Sequence, residues 1–138
     1  MDVVIDTNVF ISGLLKPHSI PGEILDMVFS GQTTPLFDDR ILAEYELVIL
    51  RKKFGFPVGA VNELLLSLQT LGKTIIPPHT AVKLPDENDR CFYECALSSE
   101  TKILITGNKK HFPKKVCLEI QVFSPREFVE YFFSEEWV

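Results

Sequence analysis

The stretch Val3-Val4-Ile5-Asp6-Thr7-Asn8 constrains the fold of this chain more than any other. Val3 to Ile5 is a short β-branched run without polar alternation, the pattern of a strand buried on both faces. It stops at a carboxylate. Thr7 and Asn8 are good helix-capping residues, and Val9-Phe10-Ile11 and Leu14-Leu15 then repeat with helical spacing. A buried strand that runs directly into a helix fits an open parallel sheet, where ligands bind beyond the carboxyl ends of the strands. Asp6 stands at such an end. A single acid there either caps the helix or takes part in chemistry, and only the rest of the chain can separate the two.

The rest of the chain alternates in the same way. Pro21 suits the first turn of a helix through Ile24, Leu25, Val28 and Phe29, closed by Gly31. Thr33 to Phe37 reads as a second strand, and Asp38-Asp39 offers an N-cap. A helix from Arg40 to about Lys53 carries the stripe Ile41, Leu42, Tyr45, Val48 and Ile49. Glu44 and Glu46 flank that stripe on opposite edges, and periodicity alone does not choose between them. Glu44 neighbours Ile41 and Val48 on the helix surface, so it can face a crevice beside the core. Val58 to Leu71 is helical in pattern, with Gly72 as its cap, and Lys73 to Ile76 reads as a third strand stopped by Pro77-Pro78.

Asp86-Glu87-Asn88-Asp89 opens a helix whose buried face holds Phe92, Cys95, Ala96 and Ser99. Asp89 lies on that inward face in the first turn, where the helix dipole favours an acid. The cap itself can be Asp86 or Asn88. Lys102 to Thr106 is a fourth strand ending at Gly107-Asn108, and Ile120 to Phe123 a fifth. Ser124 and Pro125 start a last helix with Phe128, Val129, Phe132, Phe133 and Trp137 on its apolar side. Strands and helices alternating with short connections predict an α/β three-layer sandwich around a central parallel sheet. At 138 residues the chain is read as a single domain spanning residues 1–138.

Composition narrows the classes. No apolar run approaches the ~20 residues that span a bilayer, and no signal-peptide pattern opens the chain. Cys91, Cys95 and Cys117 are odd in number and lack paired metal spacing, so they are expected as reduced core thiols in a cytoplasmic protein. A net charge of -5 argues against a broad duplex-binding surface. Local basic strips remain at Arg51-Lys52-Lys53 and at Lys109-Lys110-His111 with Lys114-Lys115. Each is either solvated surface or a phosphate-holding strip beside an acidic site.

Three acids converge in this layout: Asp6 after the first strand, Glu44 on the helix after the second, and Asp89 at a helix start. Asn108 follows the fourth strand at the same sheet edge. Clustered carboxylates are costly unless cations neutralise them. Oxygen ligands without His or Cys suit Mg²⁺ or Mn²⁺. Such ions activate water and stabilise phosphoryl oxygens in phosphodiester cleavage.

The segments "VVIDTNVFISGLL", "ILAEYELVILRKKF", "PDENDRCFYECALSSETKILITGNKKHF" and "VFSPREFVEYF" together resemble the PIN domain. More narrowly, they resemble the toxin-like PIN proteins related to VapC ribonucleases. The ordered set carries the resemblance, over nearly the whole chain. It implies that Asp6, Glu44 and Asp89 bind Mg²⁺ or Mn²⁺. It implies hydrolysis of single-stranded RNA by the toxin of a toxin–antitoxin pair, with an antitoxin protein and a homodimer among its partners. A fourth acid is common after the fourth strand in a Thr-x-Asp pattern. Here that pattern reads Thr106-Gly107-Asn108, an amide that offers a carbonyl oxygen but no charge, with Asp86 as partial compensation. Asp6, Glu44, Asp89 and Asn108 are therefore the expected catalytic group. Thr7, Asn8, Thr106, Lys109 and Lys110 are the expected substrate contacts.

Two other classes compete. A haloacid-dehalogenase-like phosphatase also begins with an acid after its first strand, but its second acid position is Asn8 here and its later Lys and paired-Asp motifs are not evident. A PIN-like protein-binding module, catalytically weak or inactive, would use the apolar last helix, with Phe128, Phe132 and Phe133, to dock a partner rather than for ordinary core burial.

Overall fold

The computed structural model describes residues 1–134; the expected placement of Trp137 lies outside them. Five parallel strands form the centre: β1 (Asp2–Ile5), β2 (Thr34–Phe37), β3 (Lys73–Thr74), β4 (Ile103–Ile105) and β5 (Gln121–Phe123), in the order β3-β2-β1-β4-β5. The helices are α1 (Thr7–Leu15), α2 (Ile20–Phe29), α3 (Asp39–Ile49), α4 (Val58–Leu71), α5 (Arg90–Ser98) and α6 (Pro125–Phe133). This is the α/β sandwich that the alternation predicts.

The strand order explains the layers. From β1 the chain steps outward to β2 and β3, then crosses back through α5 to β4 on the other side of β1. Right-handed crossovers in opposite directions put their helices on opposite faces of the sheet. Accordingly α5 packs on β1, β2 and β4, whereas α2 packs against α1, α4 and α6. Val3, Val4, Ile5, Ile103, Leu104 and Ile105 are all buried, as strands covered on both faces should be. The strand order reverses between β1 and β4, which pair in parallel, Val4 with Leu104 and Ile5 with Ile105. Such a reversal opens a crevice at the carboxyl ends of the two strands.

Several boundaries differ from the sequence reading. The α3 helix stops at Ile49, and Lys52–Phe54 forms a separate 3-10 turn closed by Gly55 at φ 69°. Its inward stripe ends at Ile49; the next inward positions are lysines, which resist burial. The third strand is only Lys73–Thr74, because its partner β2 ends at Phe37; Ile76 projects into solvent. Gly72 ends α4 with an extended backbone rather than a left-handed one, and is required there because a Cβ would meet the Pro35 carbonyl. Asp86 caps a 3-10 turn, Glu87–Asp89, and α5 proper starts at Arg90. In α6, Ser124 and Glu127 form a reciprocal capping box; Phe128 is fully buried and Phe133 is exposed.

Candidate active site

Asp6 lies where β1 ends and α1 begins, in the crevice. Its backbone N–H donates to the Ile105 carbonyl at 2.9 Å, which ties it to β4. Although Asp6 is at the N-cap position of α1, its side chain makes no capping hydrogen bond. The carboxylate instead accepts from the Thr106 hydroxyl, Oγ1 to Oδ2, at 2.7 Å. Burial pushes its pKa up, and the Thr106 hydroxyl, the amides of Thr7 and Asn8 and the charge of His111 pull against that shift.

Glu44 and Glu46 separate clearly. Glu46 is exposed, whereas Glu44 is half-buried and accepts a short hydrogen bond from the buried Thr7 hydroxyl. Thr7 thus links the residue after Asp6 to α3. Glu44 also lines a groove of about 400 Å³ with Arg40, Asn88, Arg90 and Cys91. Burial and then Glu44 and Asp38 push the Cys91 thiol up to about 12, so this thiol stays protonated. All three cysteines are buried and free, as core thiols should be.

Asp89 completes the crevice from the 3-10 turn ahead of α5. It is 9% exposed, and it too makes no capping hydrogen bond. Burial, then the charge of Asp6, and further on that of Asp86 push its pKa up to about 6, against the opposing influence of His111. Asp89 Oδ2 is buried and receives no hydrogen bond. His111 Nδ1 lies 2.8 Å from it, an approach short enough for an ion pair but not aligned as a hydrogen bond.

Among the described residues, the His, Cys, Asp and Glu side chains whose ligand atoms all fall within 4.8 Å of one another are Asp86, Asp89 and His111. Asp6, Glu44 and Asp89 do not form so tight a set among themselves. Asp6 instead couples to Asp89 through charge, and Glu44 reaches the crevice through Thr7. Asn108 contributes backbone: its N–H donates to Thr106 Oγ1 at 3.0 Å and its carbonyl accepts from His111 N at 3.1 Å. Asn8 is exposed at the start of α1.

The basic strip after β4 flanks this crevice. Lys109 pairs with Glu127 at 2.9 Å, and the Ser124 amide followed by Lys109 brings the Glu127 carboxyl down to about 2. Lys110 makes no ion pair among the described residues. With Lys109 and Lys114 it lines a groove of about 560 Å³ together with Phe112, Leu118 and Phe123. Arg51-Lys52-Lys53 lies beyond the far end of α3, away from the acids.

Sequence periodicity missed two residues here. His111 enters the sequence reading only as part of the basic strip Lys109-Lys110-His111, and the 3-10 turn Lys109–His111 brings it to Asp89. Glu94 is not among the residues the sequence places on the buried face of α5, yet its side chain has no accessible surface. It accepts from Arg40 Nη1 at 2.9 Å and from both the amide and hydroxyl of Thr80. Burial opposes its charged form, but Thr80 and Arg40 outweigh that and hold its pKa below the usual range. Arg90 binds the Thr80 carbonyl at 2.9 Å and also the Val82 carbonyl, so α5 grips the loop leading to Asp86.

The carboxylates of the crevice and a buried oxygen without a donor fit a divalent cation, and the imidazole beside them is a softer donor than a purely hard site offers. A profile of the PIN domain matches residues 2–110. The chain belongs to the PIN domain family. MJ1680, an uncharacterized protein of Methanocaldococcus jannaschii, is 36% identical over 141 residues, covering 94% of this chain and 90% of that protein. The fold also matches a chain in the crystal structure of VapBC2 from Rickettsia felis bound to a DNA fragment from their promoter. That match has a TM-score of 0.58 at 17% identity and covers 90% of this chain and 98% of the other. PIN domains are nucleases, which sets the phosphatase reading aside. No helix among the described residues is long and apolar enough to cross a membrane.

Proposed function

We propose that this PIN domain is a Mg²⁺- or Mn²⁺-dependent endoribonuclease acting on single-stranded RNA in the cytoplasm. We further propose that it is the toxin of a toxin–antitoxin pair, held by a cognate antitoxin and able to form a homodimer. The observation that carries the reading is Asp89 Oδ2, buried without a donor beside Asp6 at the reversal of the strand order. A buried carboxylate oxygen left in that state is stabilised when a cation binds it. The likeness to a VapBC2 chain supports the toxin assignment at the level of the fold.

Asp6, Glu44 and Asp89 would hold the ion, with Asp86 in reach. A divalent ion bound there supplies an activated water and positive charge for the phosphoryl oxygens. Thr106 keeps the Asp6 carboxylate turned into the crevice, and Thr7 does the same for Glu44. Lys110, with Lys109, offers positive charge to phosphates of a strand laid across the rim, and Asn8 is exposed at the crevice mouth. The test uses purified protein and end-labelled single-stranded RNA, with Mn²⁺ titrated against EDTA. Cleavage should need the metal and leave 5′-phosphate and 3′-hydroxyl ends. Cleavage that persists in EDTA, or 2′,3′-cyclic phosphate products, would overturn the hydrolytic mechanism. No cleavage with any metal would favour the protein-binding module.

A further inference from the structure

We propose that His111 is a nitrogen ligand of this chain's metal site, and that the site therefore selects Mn²⁺ and other imidazole-accepting divalent ions over Mg²⁺. The inference rests on the nuclease reading only in needing a metal there. Its starting point is the loop after β4, where Thr106-Gly107-Asn108 offers an amide and no acid. That loop does not end at Asn108. The Asn108 carbonyl accepts from His111 N at 3.1 Å, and the 3-10 turn this closes swings the imidazole back over the crevice.

Three observations locate the ligand. His111 Nδ1 stands 2.8 Å from Asp89 Oδ2. The ligand atoms of Asp86, Asp89 and His111 all lie within 4.8 Å of one another. Asp89 is nine-tenths buried, and its Oδ2 receives no hydrogen bond. A structural imidazolium–carboxylate pair would aim the ring N–H at that oxygen. Here the two atoms are close without that alignment, and the oxygen remains unsatisfied. Two donors at right angles around an ion, each about 2.1 Å from it, are about 3 Å apart. The observed spacing suits adjacent ligands on one ion as well as it suits an ion pair, and the unaligned ring and unsatisfied oxygen favour the ligands.

The consequence is selectivity. Mg²⁺ holds oxygen ligands and water; Mn²⁺ also favours oxygen but opens the transition series along which affinity for nitrogen rises, so an imidazole shifts the balance from Mg²⁺ toward Mn²⁺ and the ions after it. An acid at the same place would favour Mg²⁺; a histidine moves the preference along the series.

The experiment measures Mn²⁺ and Mg²⁺ binding by calorimetry on the whole chain, with pulsed electron paramagnetic resonance of the Mn²⁺ complex for nitrogen coupling. His111 is at the surface end of its loop, so substitutions there should leave the fold intact, checked by circular dichroism. Wild type should show nitrogen coupling and bind Mn²⁺ more tightly than Mg²⁺. In His111→Ala the coupling should vanish and the Mn²⁺ Kd rise by at least about tenfold. His111→Asp should recover affinity with a smaller Mn²⁺ to Mg²⁺ ratio. If wild type binds Mn²⁺ without nitrogen coupling and His111→Ala binds it equally well, the ligand assignment fails and the nuclease reading stands. If wild type binds neither ion, both fail.

Discussion

The Thr106 hydroxyl and the Asp6 carboxylate are joined by a 2.7 Å hydrogen bond across the seam where the strand order reverses. The same hydroxyl accepts from the Asn108 N–H at 3.0 Å, so one oxygen fixes both the acid of β1 and the loop that follows β4. Thr106 is fully buried. Thr106→Val keeps the shape and removes both bonds, leaving a buried acid without its strongest donor. The expected cost is about 1.5–3 kcal/mol in a urea melt. A loss below a few tenths would show that water replaces the hydroxyl at no cost.

Metal linkage follows from the crowding of Asp6, Asp89 and Asp86. A ligand that binds the native state alone stabilises it by about 2.7 kcal/mol at a hundred times its Kd. Melting temperature should rise with Mn²⁺ in wild type and rise much less in Asp6→Asn and Asp89→Asn. An equal rise in all three would remove these acids from the site.

The raised pKa of Asp89 makes a pH prediction for the metal-free protein. Its folded value, about 6, exceeds the ordinary value of 3.8, so the native state holds the extra proton between those values. Native stability attributable to this group is therefore full below the window and falls as pH rises through it. Asp89→Asn removes the titration, so its stability relative to wild type should improve between about pH 4 and pH 6. Saturating Mn²⁺ should reverse the order at pH 7. Parallel curves for the two proteins would place Asp89 in an ordinary solvated setting.

Glu94 has a structural role that its position in the helix pattern hides. It anchors Thr80, and with Arg90 it holds the loop that delivers Asp86 to the crevice. Glu94→Ala leaves Arg40 paired with Asp38 alone and removes the acceptor of the Thr80 amide and hydroxyl, with an expected loss of about 1–3 kcal/mol. Amide hydrogen exchange in residues 78–84 should accelerate along with it. Unchanged exchange there would mean that Arg90 alone suffices to hold the loop.

What could be read from the sequence depended on how local the signal was. The β1 run with Asp6 just after it, the Ser124-Pro125 helix start and the apolar core of the fourth strand, Ile103–Ile105, are each declared by a few consecutive residues, and each appears in the fold. The choice between Glu44 and Glu46 was not local; it was made by the Thr7 hydroxyl, thirty-seven positions away. The burial of Glu94 depends on Arg40 and Thr80, which no periodicity within α5 can reveal. Residues 91 to 96 are all buried because α5 meets the sheet on one side and α3 on another, so burial extends beyond the face that Phe92, Cys95 and Ala96 mark in the sequence. His111 needed a single 3-10 turn to become a neighbour of Asp89, and a short polar loop carries no periodic signal for such a turn.

The basic rim supplies the last prediction. Lys109 and Lys110 are adjacent in sequence but not equivalent in space. Lys109 already neutralises Glu127, whereas Lys110 makes no ion pair among the described residues. A phosphate contact from Lys110 thus adds new charge to the RNA interface, while one from Lys109 must first exchange Glu127 for phosphate. Each contact to single-stranded nucleic acid adds about 0.7 to the slope of log affinity against log salt. Lys110→Ala should therefore weaken RNA binding and flatten that slope by about this amount. Lys109→Ala should have the smaller effect, and Glu127→Gln should strengthen binding by releasing Lys109. Fluorescence anisotropy of a labelled single strand, in Ca²⁺ to suppress cleavage and over a range of salt, measures all three. Equal slopes in wild type and Lys110→Ala would return this strip to plain solvated surface.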